Sequence, residues 1–277
     1  MSADSITIIF SPYHVGIRDH RVGNVTVNFV KLDPVDEFEG EIGRSFELLR
    51  RLSTAVTKAV EQNTFPLILS GNCMSSAGVA CGLGIDDLKF IYFDAHDDLD
   101  SPDVNENGYL DAMGLSMLRG KSWKAHMKTV PGYKPLKYDG NFLYCGLRDQ
   151  SEVQRQRVID SGMSSIWGEP GQKVNFVTKL SKELEEKSYG ASLVHLALDV
   201  LDDSYGKVND YPSPGGLFES ELIECMSLVP KKSNPESLTV CSFDPDSGDG
   251  DKIARIAIEA IATFVLSLVQ TNALKKT

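Results

Sequence analysis

The sequence predicts an α/β fold in which helices cover both faces of a mostly parallel central sheet. Short runs of strand-forming apolar residues alternate with longer helical segments along the 277 residues, as in strands joined by helical crossovers. These apolar runs show little polar alternation, which is typical of strands buried on both faces. No linker, charge block or repeat divides the chain, so we predict one domain over residues 1–277.

The individual elements follow from local patterns. The helix from roughly Glu37 to Glu61 is predicted by an apolar stripe that includes Phe46, Leu49 and Val56. Further helices are expected to open at residues 71–78 and to cover residues 110–118, 150–161, 174–186, 219–228 and 251–269. Buried strands are predicted at residues 5–10, 66–70, 88–93, 142–146, 164–167, 193–198 and 237–243.

Composition narrows the functional class. The net charge of −11 argues against nucleic acid or an anionic membrane as a partner. The N-terminus lacks the basic and long apolar regions of a secretory signal, and we expect no apolar stretch long enough to span a bilayer, Val265 and its neighbours lying on an amphipathic helix. Five widely spaced cysteines fit buried, reduced thiols in a cytoplasmic protein.

One acidic cluster follows the predicted strand at residues 88–93. Asp94, His96 and Asp98 fall beyond the carboxyl end of the strand, where open α/β sheets bind ligands. Alternate residues of an extended chain point the same way, so these three side chains can converge on a divalent cation. Asp97 has the other parity and is expected to be solvated or to lie behind the ligands. The competing interpretation is an acidic loop that merely caps a helix.

A second acidic cluster follows the strand at residues 193–198. It contains Asp199, Asp202 and Asp203. Bringing two such clusters together without a cation would cost several kcal/mol in repulsion and desolvation. A bound metal ion removes that cost, and we therefore predict a metal site that includes Asp94, His96, Asp98 and Asp199.

At these motifs the chain resembles the ureohydrolase (arginase–agmatinase) family over nearly its whole length. Residues 94–98, Asp-Ala-His-Asp-Asp, resemble that family's Asp-Ala-His-x-Asp motif, and residues 195–200 resemble its strand leading to Asp-x-Asp. The resemblance implies a three-layer α/β/α fold and a binuclear manganese centre whose bridging hydroxide attacks a guanidinium or amidine carbon. It also implies a small-molecule substrate and a homo-oligomer.

The chain departs from the family's pattern of metal ligands. Cys73 stands where the family has its first histidine ligand. A thiolate there would favour zinc or iron over manganese, although Cys73 could equally be a buried thiol that ligates nothing. Leu201 occupies the place of the second aspartate in Asp-x-Asp, and Asp202 would substitute for it only if the loop bends suitably.

The chain also departs from the family around the substrate. Asp111 stands where the family has a histidine that shuttles protons or contacts substrate, which makes Asp111, with His96, a candidate for acid–base catalysis. Ser242 stands where the family has a glutamate that pairs with the guanidinium, and serine cannot replace that charge-assisted bond. The other candidate pocket residues are Asp100, Asp244, His14 and His20.

We therefore predict a metal-dependent enzyme that acts on a C–N bond or a carbonyl-like centre in a small molecule other than arginine or agmatine. Hydrolysis is the default reaction, and lyase, cyclase or aldol chemistry on the same metal platform stays open. One alternative is a non-catalytic protein of the same fold that binds a ligand or a partner subunit. Another is catalysis by Cys73 as a nucleophile, with His96 or His14 as its base, but this leaves the acidic clusters unexplained.

Overall fold

A computed structural model describes residues 2–11, 13–14, 17–18, 30–35, 38, 40–247 and 249–275 of the protein. The backbone alone is described for residues 13–14 and 17–18.

A parallel sheet of eight strands forms the centre of the fold. The strands of the described residues are β1 (Ser5–Ser11), β2 (Tyr13–His14), β3 (Ile17–Arg18), β4 (Val30–Lys31), β5 (Thr64–Ser70), β6 (Lys89–Phe93), β7 (Phe142–Leu147), β8 (Ser164–Trp167), β9 (Ala191–Ala197) and β10 (Asn234–Cys241). The order in the main sheet is β4-β1-β5-β10-β9-β6-β7-β8, and every pairing in it is parallel. Strands β2 and β3 form a separate antiparallel pair.

Helices cover both faces of this sheet. They are α1 (Gly40–Glu61), α2 (Ser75–Leu83), α3 (Gly114–Leu118), α4 (Lys124–Met127), α5 (Glu152–Asp160), α6 (Phe176–Glu186), α7 (Glu219–Lys232) and α8 (Gly250–Gln270). Successive residues of β6 point to opposite sides: Phe90 and Tyr92 pack with α1–α4, whereas Ile91 and Phe93 pack with α6–α8. The predicted three-layer α/β/α fold is confirmed.

The seven strands and seven helical regions predicted from the sequence all form, with shifted ends. The region at residues 110–118 is a 3-10 turn, Leu110–Met113, followed by α3. Helix α7 runs past its predicted end at Leu228 and through Pro230 to Lys232. Strands β2, β3 and β4 and helix α4 were not predicted, because each has only two to four residues and too little sequence to show a period.

Helix α8 corrects one expectation. By length and composition it is apolar enough to cross a membrane, with a mean hydropathy of 1.7 over an 18-residue window. The prediction that the chain has no apolar stretch of this length is therefore wrong. The helix nevertheless contributes one face, including Ile253, Ala260 and Phe264, to the buried layer against the sheet. This packing is that of a core helix, and its exposed face mixes charged residues such as Arg255 and Glu259 with the apolar Ile258 and Leu266.

Helices α1 and α2 approach each other closely through two glycines of α2, one turn apart. A Cβ atom on Gly78 would lie 3.1 Å from the carbonyl oxygen of Leu49, and one on Gly82 would lie 2.5 Å from that of Ser53. The approach matters for the site described below, because α2 begins only two residues after Cys73.

We expect Gly82→Ala to lower the free energy of unfolding by about 1–3 kcal/mol, because the added methyl group overpacks the contact with α1. Gly43→Ala is the matched control: it is also helical, but its Cβ would have no neighbour closer than 3.9 Å. That control should be neutral or stabilising by up to about 1 kcal/mol. Urea denaturation measures both, and equal effects would contradict the proposed helix contact.

Candidate metal centre

Four neighbouring strands end at the same edge of the sheet and carry the chemistry. Strands β5, β10, β9 and β6 lie side by side in that order and run parallel. Cys73 follows β5, Cys241 ends β10, Asp199 follows β9 in a 3-10 turn, and Asp94 follows β6 directly. The sheet therefore collects side chains that are far apart in the sequence.

The first group, which we call the carboxylate–imidazole cluster, consists of Asp94, His96 and Asp199. Nδ1 of His96 lies 3.4 Å from Oδ1 of Asp94 and 3.6 Å from Oδ2 of Asp199. The three prospective ligand atoms lie within 4.8 Å of one another. Both carboxylates are buried, and Oδ1 of Asp199 has no hydrogen-bond partner among the described residues.

The electrostatics of this cluster show an excess of negative charge. Burial and the Asp94 carboxylate raise the pKa of Asp199 to about 6. Burial lowers the pKa of His96, but the carboxylates of Asp199, Asp149 and Asp94 outweigh it and hold that pKa well above its ordinary value. The carboxylates thus favour a proton on His96.

Asp98 extends the acidic region on the other side of Asp94. Its Oδ2 accepts a hydrogen bond of 3.0 Å from the phenol of Tyr92, and Cys73, Asp94 and Asp98 form a second group whose ligand atoms lie within 4.8 Å. Burial and the carboxylates of Asp94 and Asp111 raise the pKa of Asp98 well above its usual range. Asp98 also has a φ of +50°, a costly backbone conformation that persists where the surrounding structure imposes it.

A third group, the thiol cluster, consists of Cys73, Cys241 and His195. The two Sγ atoms are 3.5 Å apart, and Sγ of Cys241 lies 3.3 Å from Nε2 of His195. Oδ2 of Asp94 completes the surroundings, at 3.5 Å from Sγ of Cys73 and 3.9 Å from Nε2 of His195. All of these groups are buried.

Burial lowers the pKa of His195 to about 4, so the imidazole is neutral at physiological pH. The hydrogen bond with Cys241, burial and the Asp94 carboxylate raise the pKa of Cys73 well above its ordinary value, and burial raises that of Cys241 to about 11. Without a metal ion both cysteines are therefore thiols.

The sequence indicated Cys73 but not its two neighbours. In the sequence, His195 is visible only as part of the strand leading to Asp199, and Cys241 only as one of the five predicted buried thiols. The register shows why they meet: His195 pairs with Thr239 across β9 and β10, and Cys241 lies two residues beyond Thr239 on the same face. Finding this signal requires the order of the strands, which no local pattern contains.

Two predicted residues lie apart from these groups. Oδ2 of Asp202 accepts hydrogen bonds from the backbone N–H groups of Gly215 and Gly216, and its Oδ1 accepts one from that of Ser204. Asp100 forms an ion pair of 2.7 Å with Arg157. Asp202 therefore stabilises the backbone at Gly215 and Gly216, and Asp100 pairs with helix α5 through Arg157.

The remaining predicted residues are placed as follows. Oδ1 of the buried Asp111 accepts a 2.7 Å hydrogen bond from the backbone N–H of Met74, which fixes the loop that carries Cys73. The hydroxyl of Ser242 lies 3.0 Å from Sγ of Cys73, and Ser242 has a φ of +60°. Asp244 is half-buried and accepts a hydrogen bond from the backbone N–H of Asp246. The side chains of His14 and His20 lie outside the described residues.

Asp97 differs from one of its two expected states. It is buried, with Oδ2 lacking a hydrogen-bond partner in the part of the chain described, so the prediction of a solvated side chain is wrong. Burial raises its pKa to about 7. It lies next to Asp98 but belongs to none of the three groups.

Arg148, which belongs to a segment resembling the family but was given no role from the sequence, holds the loop of Asp199. Its guanidinium donates six hydrogen bonds of 2.8–3.3 Å to backbone carbonyl oxygens, those of Gly146, Asp199, Val200, Leu201 and Ser213. Asn209 adds a hydrogen bond of 2.8 Å to Oδ2 of Asp199. Together these contacts fix the carboxylate of Asp199 from behind.

Aromatic side chains lie beside the carboxylate–imidazole cluster. The ring of Tyr211 is edge-on to the imidazole of His96, with centroids 6.2 Å apart, and contacts Tyr109 at 5.6 Å. Tyr211 is 45% exposed, whereas His96 is only partly exposed. A molecule approaching His96 from solvent would therefore meet these two tyrosines.

The sequence and the fold of this chain are similar to those of known proteins. A family model described as the arginase family matches residues 11–267. An arginase of Bacillus subtilis (strain 168) is 23% identical over 255 residues, covering 91% of this chain and 85% of that relative. The structure of arginase from Bacillus caldovelox superposes with a TM-score of 0.77 at 20% identity, over 95% of this chain and 98% of that one. The structure of proclavaminate amidino hydrolase from Streptomyces clavuligerus superposes with a TM-score of 0.69 at 16% identity, over 98% of this chain and 93% of that one.

We expect Arg148→Lys to lower the free energy of unfolding by about 2–4 kcal/mol, because a single ammonium cannot reach the carbonyl groups that the planar guanidinium holds. Arg255→Lys is the control, since Arg255 is exposed and bonds only a carbonyl of its own helix; it should change stability by less than about 0.5 kcal/mol. Chemical denaturation of both variants is the measurement. A loss for Arg148→Lys no larger than for Arg255→Lys would contradict the role given to the guanidinium.

Proposed function

Because the chain belongs to the arginase family, we propose that it is a metal-dependent enzyme that hydrolyses a C–N bond, or activates a carbonyl-like carbon, in a small molecule other than arginine or agmatine. The observation that carries this proposal is the carboxylate–imidazole cluster with its unpartnered Oδ1 of Asp199. Lyase or cyclase chemistry would use the same groups. The proposal includes a homo-oligomer in the cytoplasm, supported by the family resemblance and by five free cysteines.

The residues of the carboxylate–imidazole cluster fit a divalent cation. Carboxylate oxygens and one imidazole are ligands that suit manganese as well as zinc, and burial of Asp94 and Asp199 leaves their charges without solvent to stabilise them. When bound, such a cation would supply Lewis-acid polarisation and lower the pKa of water. The manganese assignment rests on the family resemblance.

The chain's own side chains would orient this centre. Arg148 and Asn209 fix Asp199, and the phenol of Tyr92 fixes Asp98. Asp149, half exposed, lies 3.5 Å from Nε2 of His96 and would hold the imidazole with Nδ1 toward Asp94 and Asp199. We assign acid–base catalysis to Asp111 and His96.

The residues expected around the substrate argue against a substrate with a guanidinium group. Ser242 takes the position that the family resemblance gives to a glutamate, and its hydroxyl is engaged with Sγ of Cys73. A neutral hydroxyl cannot form the bidentate bond that a carboxylate offers to a planar cation. The tyrosines Tyr109 and Tyr211 would favour a substrate with an apolar part.

A non-catalytic ligand-binding protein or partner subunit is the second candidate. The observation that favours it is the position of His96, whose imidazolium lies within 3.6 Å of three carboxylates, those of Asp94, Asp149 and Asp199. One protonated histidine can offset part of their charge without any metal ion.

Metal content separates the two candidates. We expect protein produced with manganese, zinc and iron supplied to contain a stoichiometric divalent metal, and Asp94→Asn and Asp199→Asn to lose at least half of it with all activity. Asp203→Asn is the control, because Asp203 follows the same strand as Asp199 but is exposed. Its metal content and activity should match those of the wild type. Elemental analysis provides the first readout.

Release of ammonia or urea from a panel of amidines, imines, ureides and guanidines provides the second readout. Metal-free wild-type protein would contradict the metal-dependent enzyme and favour the binding protein. Fastest turnover on arginine or agmatine would contradict the substrate assignment alone.

Metal affinity should fall as the pH is lowered from 8 to 5.5. Asp199, whose pKa is about 6, gains a proton over this interval, and the raised pKa values of His96 and Asp98 favour proton binding at these groups as well. A cation must displace these protons. Each displaced proton costs about tenfold in affinity per pH unit below the pKa of its group. Competition with a chelator of known pH dependence measures the slope, which Asp203→Asn, at an exposed position, should leave unchanged. A flat profile would contradict this assignment of ligands.

A further inference from the structure

We propose that Cys73, Cys241 and His195, with Oδ2 of Asp94 as fourth ligand, form a tetrahedral zinc site next to the carboxylate–imidazole cluster. The proposal does not depend on the reaction that the protein catalyses. It adds to Cys73 two ligands, His195 and Cys241, that lie inside strands and so outside the loops that carry the acidic motifs.

The separations among the two thiols and the imidazole fit a zinc site. Zinc–sulfur bonds of about 2.3 Å and zinc–nitrogen bonds of about 2.0–2.1 Å place neighbouring ligand atoms about 3.3–3.8 Å apart. The two Sγ atoms are 3.5 Å apart, Sγ of Cys241 lies 3.3 Å from Nε2 of His195, and all three ligand atoms lie within 4.8 Å of one another. Oδ2 of Asp94 lies 3.5 Å from Sγ of Cys73 and 3.9 Å from Nε2 of His195, and its carboxylate would turn toward Cys241 to become the fourth ligand.

Rigid elements hold these ligands. His195 lies within β9 and Cys241 ends β10, and the ring of His195 stacks on Tyr92 with centroids 3.9 Å apart and planes 5° from parallel. The loop of Cys73 is fixed by Asp111 through the backbone of Met74. A site built on strands is more precise than one built on loops.

His195 presents one of its two ring nitrogens to the proposed site. Nε2 lies 3.3 Å from Sγ of Cys241 and 3.9 Å from Oδ2 of Asp94, whereas Nδ1 of this fully buried side chain has no hydrogen-bond partner among the described residues. Nε2 is therefore the nitrogen that would bind the ion.

The two oxygens of Asp94 divide between two kinds of site. Oδ1 accepts the backbone N–H of His96 at 2.8 Å and faces the imidazole of the same residue, whereas Oδ2 faces Cys73 and His195. Two thiolates are soft ligands that select zinc over manganese. On binding, Zn²⁺ takes the place of the two thiol protons, which pass to solvent, and no electron is transferred.

Cobalt(II), which stands in for zinc and absorbs light when bound to thiolate, tests the site. We expect reduced, metal-stripped protein titrated with cobalt(II) alone to develop thiolate-to-cobalt absorption at one equivalent, and added zinc to abolish it. Cys241→Ala should lose about half of that intensity and weaken zinc binding more than about 100-fold, beyond the effect of residues behind the ligands. Cys81→Ala, which removes another buried thiol, should behave as the wild type.

Two further variants keep the outcome clear. Cys241→Ser retains the side-chain volume and should show the same loss if Cys241→Ala folds poorly. Asp199→Asn should keep the thiolate absorption, because Asp199 belongs only to the carboxylate–imidazole cluster; this separates failure of the zinc site from failure of the proposed enzyme. Cobalt binding without thiolate absorption, unchanged absorption in both Cys241 variants, or a Cys73–Cys241 disulfide in protein isolated with zinc supplied would overturn the proposal.

Discussion

The structure of the site depends on the burial of one carboxylate, that of Asp94, among groups from four strand ends. Asp94 has no exposed surface, and each of its oxygens faces a different set of side chains. Parallel pairing of β5, β10, β9 and β6 makes this unavoidable, because all four chains leave the sheet at the same edge. A buried charge in such a position must be compensated, and the surroundings of Asp94 are best understood as that compensation.

Much of this architecture is visible in the sequence because it depends on local patterns. Apolar runs without alternation predict the strands, and the abrupt change to Asp94 and Asp199 predicts the edge where they end. What the sequence could not reveal depends on pairing. His195 and Cys241 become neighbours only because β10 lies between β5 and β9, and these strands are separated by helices in the chain.

Local sequence patterns also do not predict the direction in which a side chain points once the strand has ended. Asp202 follows Asp199 closely in sequence, but the 3-10 turn at Leu198–Val200 rotates the chain so that its carboxylate binds the N–H groups of Gly215 and Gly216. Asp100 is removed from the site by Arg157, a residue on a later helix. Arg148 lies in a segment, residues 146–149, that resembles a recurring family segment, but its role is seen only in the structure, where it donates hydrogen bonds to five carbonyl groups. In each case the decisive partner is distant in sequence.

Tyr92 connects two parts of the site. Its phenol bonds Asp98, and its ring lies flat on His195, with which it is in register across β6 and β9. One aromatic side chain therefore sets the spacing between the carboxylate of Asp98, beyond the end of β6, and the imidazole of His195, within β9. A smaller residue at position 92 would release both of these side chains at once.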